Sequence, residues 1–222
     1  MKLLLTIVAL LAAAAAGTWL VERDEPAGRP LADLADGDVT ILRAERVAGG
    51  AGRRPQLIVN WGRIDRDQDR ILEEGLTVYD EHPTGRRYRR TFVLDPPDNP
   101  VKQLHHGIGH STSDLDGDGH DEILAVEELG GSAGNRIYHL IGRAGGRTRV
   151  LYRKDLSYDD GLVLFGRGSL VTFEGVVRQP GDHGIHCCWT AYDRTVRKLR
   201  GGRLVVEKRS RVRRLPEVGQ EP

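Results

Sequence analysis

The segment Asp114-Leu115-Asp116-Gly117-Asp118-Gly119-His120-Asp121-Glu122 is where this chain holds its most concentrated chemistry. Carboxylates stand at relative positions one, three, five and nine of the loop: Asp114, Asp116, Asp118 and Glu122. Four carboxylates this close repel one another unless a cation lies between them. Calcium takes about six to eight oxygen ligands at about 2.3–2.6 Å, and alternate residues of a tightly wound loop point inward at that radius. Gly117 and Gly119 supply the backbone freedom that such winding needs. Hard oxygen donors favour calcium over zinc or copper. Magnesium fits less well, because it keeps water and wants a stricter octahedron. His120 at position seven is expected to offer its backbone carbonyl and to leave its ring outside the shell. The predicted metal set is therefore Asp114, Asp116, Asp118, His120 and Glu122, with Ca2+ as the ion.

An EF-hand loop opens the same way but needs a bidentate Glu at position twelve and a helix on either side. Position twelve here is Ala125, inside the apolar run Ile123-Leu124-Ala125-Val126. The loop instead resembles the calcium loop of FG-GAP repeats, also called VCBS or integrin-α-like propeller repeats, in which D-x-D-x-D-G-x-x-[DE] sits between two strands of a blade. Asp114, Asp116, Asp118 and Glu122 match the ligand positions of that motif, and Ile123 to Val126 matches the strand that follows it. The likeness covers roughly 30 residues. It implies calcium, a β-propeller-like architecture, and a role as a binding or structural module. The segment His186-Cys187-Cys188-Trp189 to Gly202 is softly similar to the ending of exported FG-GAP-like proteins, although Trp189 and Thr190 replace the proline and serine expected there.

Other residue clusters are weaker. Asp65, Asp67 and Asp69 repeat the one-three-five spacing about 49 residues earlier, but Gln68 and Arg70 replace the glycines. That segment reads as a degenerate second metal loop or as a charged surface turn. His105, His106 and His110 precede the acidic loop, and His183, His186, Cys187 and Cys188 form a second group. Imidazole and thiolate together suit zinc or copper. Neither group has the spacing of a standard zinc finger. The adjacent cysteines are two free thiols or a rare vicinal disulfide. Ser111 and Ser113 lie near His110 without a G-x-S-x-G turn. Gly130-Gly131-Ser132-Ala133-Gly134 lacks the lysine of a phosphate-cradling loop. No catalytic residue is therefore assigned. A metal-dependent hydrolase built on His105, His106 or His110 stands as the alternative.

The elements that must position the loop are short and β-like. The chain has 222 residues, of which 28 are glycine and 10 proline, and 39% are apolar. Apolar runs at Val39–Leu42, Gln56–Trp61, Leu76–Tyr79, Arg87–Leu94, Ile123–Val126, Arg136–Ile141, Arg149–Tyr152, Gly161–Phe165 and Ser169–Phe173 are expected strands. Trp189–Tyr192, Thr195–Leu199 and Arg203–Lys208 complete the set. Glycine pairs mark turns between them. Asp65 to Glu74 is expected as a short helix or a loop. The fold class is all-β and antiparallel, over residues 38–215. It is a small or atypical β-propeller-like domain or, alternatively, a β-sandwich.

The ends differ from this domain. Lys2 precedes an apolar run from Leu3 to Val21, rich in alanine before Gly17. Residues 1–21 read as a cleaved signal peptide, with Ala14 and Ala16 fitting an A-x-A site, or as an N-terminal membrane anchor of about 20 residues. Either way the remainder is exported, to a periplasmic, secreted or outward-facing anchored location, with possible membrane attachment confined to residues 3–21. Residues 22–37 form a linker and 216–222 a tail. The chain carries 33 basic and 32 acidic residues, a net charge of +1 that gives no overall field for nucleic acid. The expected partner is an unspecified protein or glycan.

Overall fold

The described residues form twelve strands and no helix, most of the strands written by β-branched or aromatic runs between turn residues. The computed structural model describes residues 39–47, 54–65, 67, 70–82, 88–94, 105–129, 134–157, 160–166, 168–178 and 189–216. The leader, the linker, most of the tail, His183, His186, Cys187 and Cys188 lie outside them. The expected all-β, antiparallel class is what the structure contains.

The strands form three four-stranded antiparallel sheets, each an up-and-down meander in chain order. The first holds β1 (Val39–Val47), β2 (Gln56–Asp65), β3 (Arg70–Glu81) and β4 (Tyr88–Leu94). The second holds β5 (His105–Ser113), β6 (Glu122–Leu129), β7 (Asn135–Ala144) and β8 (Arg147–Ser157). The third holds β9 (Gly161–Gly166), β10 (Ser169–Arg178), β11 (Trp189–Arg200) and β12 (Arg203–Val212). A four-stranded meander is the unit that propellers repeat around an axis, and full propellers use about four to eight of them.

The chain divides into two compact units, residues 1–48 with 54–98 and residues 49–53 with 99–222. In the first unit the central strands β2 and β3 are buried on both faces: Leu57, Val59 and Tyr79 on one, Ile58, Leu76 and Val78 on the other. Trp61 lies flat over its cross-strand partner Gly75, where a Cβ would come within 2.2 Å of the indole. Its Nε1 donates to Thr77 Oγ1 at 3.1 Å.

In the second unit the two meanders share one core. Leu124, Tyr138, Leu140 and Leu156 of the second sheet pack against Val163, Leu170 and Leu199 of the third. Strand alternation puts these residues on one face of their sheet. The opposite face of the second sheet carries Ile108, Ile123, Ile137 and Ile141, which are also buried. Two-residue turns with positive φ, Gly145-Gly146 (+61° and +76°) and Gly201-Gly202 (+56° and +73°), close the β7–β8 and β11–β12 hairpins. Only glycine takes both positions of such a turn without strain.

Three local expectations change. His105–Ser113 is a full strand, although Ile108 is its only large apolar residue. Trp189–Tyr192 and Thr195–Leu199 belong to one continuous strand, β11. Asp65 to Glu74 is neither helix nor long loop: β2 runs to Asp65 and β3 starts at Arg70, its register partner. The hairpin holds because Ile64 and Ile71 pair across it, and Asp67 N–H donates to Asp65 Oδ1 at 3.0 Å.

Candidate metal centre

The acidic loop joins β5 to β6, the first and second strands of the second meander. Asp114 follows Ser113, the last residue of β5, and Ser113 pairs in register with Glu122, the first residue of β6. The sheet therefore sets the two ends of the loop side by side before any ion is considered.

Between those ends the carboxylates wind the backbone. Asp114 Oδ1 accepts from Gly117 N–H at 2.7 Å and Asp118 N–H at 3.2 Å, and its Oδ2 accepts from Gly119 N–H at 2.9 Å. Asp116 Oδ1 accepts from Asp118 N–H at 3.1 Å, and Asp118 Oδ1 from His120 N–H at 2.8 Å. Gly117 and Gly119 sit at φ +75° and +81°, the left-handed region that the tight winding requires.

Leu115 fastens the loop. Its side chain is buried in the core shared by the two meanders, and its N–H donates to Glu122 Oε2 at 2.9 Å. Glu122 is 3% exposed. Room for its side chain comes from Gly142 of β7, where a Cβ would stand 2.8 Å from Glu122 Cγ and 2.7 Å from Leu151 Cδ1.

Asp114, Asp116 and Glu122 each bring one carboxylate oxygen within 4.8 Å of the other two. Asp118 is exposed and its Oδ1 is turned to the His120 N–H, so it stands beside that triad. The His120 ring is buried, with Nε2 at 3.3 Å from Arg143 NH1. Of the five predicted residues, the structure groups three as a carboxylate cluster and places the other two in the same loop. The residues that sequence reasoning missed are Leu115 and Gly142. An apolar residue inside an acidic loop was the visible signal for the first. The second had none, because Gly142 is 20 residues from Glu122.

The electrostatics of the cluster follow from burial. Desolvation pushes the Glu122 carboxyl up to about 7 from its ordinary 4.5. The Leu115 N–H opposes that rise, and the charges of Asp116, Asp118 and Asp114 add to it. A dication placed among these oxygens would remove the cause of all the repulsive contributions at once. The donor set, three carboxylates, fits a hard cation such as calcium.

The histidines before the loop are arranged differently. His110 pairs with Ala125, three residues beyond Glu122, so alternation sets His110 and Glu122 on opposite faces of the sheet. His110 is buried there with His139, whose Nε2 is 3.4 Å from Glu127 Oε1. The His105 and His106 side chains lie outside the described residues. Asp65 and Asp67 occupy a β2–β3 connection, the second turn of their meander, whereas the Asp114 loop is the first turn of its own. No family model, curated protein or solved structure matches the chain.

Proposed function

We propose that this chain is an exported calcium-binding β-module, with Ca2+ held by Asp114, Asp116 and Glu122. Asp118 and the His120 carbonyl complete the shell, and the module serves binding or structure at the cell envelope or outside the cell. The observation that carries the reading is Glu122: a carboxylate 3% exposed, grouped with two further carboxylates, its pKa raised first by burial and further by the neighbouring charges. Burial of that kind costs several kcal/mol unless a cation repays it. The resemblance of the loop to FG-GAP/VCBS repeats supports the same ion. It extends the reading to a propeller-like architecture. The apolar leader Leu3 to Val21 supports export.

Calcium here acts by rigidifying. It would tie β5 to β6 through the loop and leave binding to the exposed surfaces. The test is elemental analysis of purified protein together with thermal melts in calcium and in chelator. Calcium at about 1,000 times its Kd should add about 4 kcal/mol of stability. Equal melting temperatures in calcium and chelator, or stoichiometric zinc in place of calcium, would overturn the proposal. The placement of His110 on the face opposite Glu122 argues against a hydrolase that uses both.

A further inference from the structure

The charge of the chain is balanced in total but not in distribution. Between Arg194 and Arg214 lie ten basic residues against one acidic residue, Glu207, while the whole chain is at +1. These residues build β11 and β12, so the third sheet is strongly basic on its β12 side and the rest of the chain is net acidic.

On the face of that sheet turned toward the second meander, the basic strands form a wall of a cleft of about 630 Å³. Glu174 of β10, Asp193, Thr195 and Arg197 of β11, and Arg209 and Arg211 of β12 line it. Register explains the grouping: Glu174 faces Asp193, Asp193 faces Arg211 and Thr195 faces Arg209. Both acids already have a cation. Lys154 Nζ reaches Glu174 Oε2 at 2.5 Å, and Arg211 Nε reaches Asp193 Oδ1 at 3.0 Å.

Two guanidinium groups are left over. Arg197 is held in place by neutral groups, donating from NH1 to Thr172 Oγ1 at 2.8 Å and stacking 5.1 Å from the centre of the Tyr152 ring. Arg209 makes no ion pair among the described residues. Both line the same cleft, and the planar fork of N–H donors on an arginine matches a carboxylate or phosphate bidentately.

We propose that this cleft binds an anionic saccharide, a sugar bearing a carboxylate or phosphate, with its oxyanion on Arg197 and Arg209. Its hydroxyls meet the Thr195 hydroxyl and the carboxylates of Glu174 and Asp193. The volume suits a ligand of a few rings. No aromatic ring lines the cleft among the described residues, so it offers no stacking platform for nucleobases. The cleft is concave, which a flat lipid surface could not fill. The acceptors alongside the arginines suit the several hydroxyl groups that a sugar carries around its anion. The site uses none of the carboxylates of the Asp114–Glu122 loop and does not depend on the calcium reading.

The test is calorimetric titration of the full chain, in calcium and in chelator, with tri-galacturonate and glucose 6-phosphate. Maltotriose, inorganic phosphate and hexaglutamate serve as comparisons. The expected result is binding of at least one anionic sugar under both conditions, none of maltotriose, and weaker binding of phosphate and hexaglutamate. Arg209→Gln should weaken sugar binding about tenfold or more at an unchanged melting temperature. Three results would overturn the proposal: no binding of either anionic sugar at millimolar concentration, equal or tighter binding of phosphate or hexaglutamate, or an Arg209→Gln variant that binds like the parent. Binding lost in chelator would also overturn it, because the anion would then be held through calcium.

Discussion

The Leu115 N–H and the Glu122 carboxylate meet at 2.9 Å inside the protein, one residue anchored in the core and the other at the head of β6. That bond joins the hydrophobic core to the carboxylate cluster, so the stability of one becomes a property of the other.

The first consequence is a pH dependence. Glu122 keeps its proton up to about pH 7 in the folded, metal-free chain and only up to about 4.5 when unfolded. Between those values the folded state holds more protons, so metal-free stability falls as pH rises through the window, by an amount on the order of 3 kcal/mol. Calcium competes with that proton, so its affinity should rise by up to about tenfold per unit below pH 7 and level off above. Melts at pH 5 and pH 8, each with calcium and with chelator, check this. The calcium-induced shift should be clearly larger at pH 8.

Glu122→Gln separates charge from shape. The amide oxygen still accepts the Leu115 N–H, while the buried charge is gone. The metal-free variant should melt at or above the parent at pH 8, and it should lose most of its calcium response. A variant that is destabilised without metal yet still responds fully to calcium would mean that Glu122 is no ligand.

Leu115→Ala removes a buried side chain from the core shared by the two meanders. Denaturant unfolding should show a loss of about 2–5 kcal/mol. Calcium affinity should fall as well, because the N–H that orients Glu122 would sit on a loosened turn.

Gly142→Ala adds a methyl group against Glu122 Cγ and Leu151. Such overpacking costs about 1–3 kcal/mol. Gly75→Ala is the control. Its new methyl group meets the Trp61 ring in the first unit, so it should destabilise similarly and leave calcium affinity unchanged. Calcium titration of both variants tells the two kinds of glycine apart.

The sequence made some of this legible and hid the rest for physical reasons. The loop stands out because carboxylates at short spacing suit a hard cation, and Asp114, Asp116 and Glu122 do come together. The strands around Ile58, Val78 and Ile123 are readable because their apolar runs are continuous. β5 is not, since His105-His106-Gly107-Ile108-Gly109-His110 carries no alternation that marks a strand; its place is set by pairing with β6. β11 reads as two pieces because Asp193 and Arg194 interrupt its apolar residues, yet cross-strand partners Glu174 and Arg211 hold both into one ladder. The Asp65 segment repeats the one-three-five spacing but sits in the second turn of its meander, which spacing alone does not reveal. The basic cleft was hidden because a net charge of +1 conceals a local excess, and Arg197 and Arg209 come to line one cleft only through strand pairing.

The last strand carries one more consequence. Among the described residues β12 pairs with β11 alone, so its other side has no strand partner there, and Val205 and Val206 are exposed. Such an edge invites a second copy to add its own strand. Here Arg203, Lys208, Arg209 and Arg211 stand along that strand, and two copies brought edge to edge would align like charges. Like charges along that edge oppose such pairing, and the opposition weakens as salt screens them.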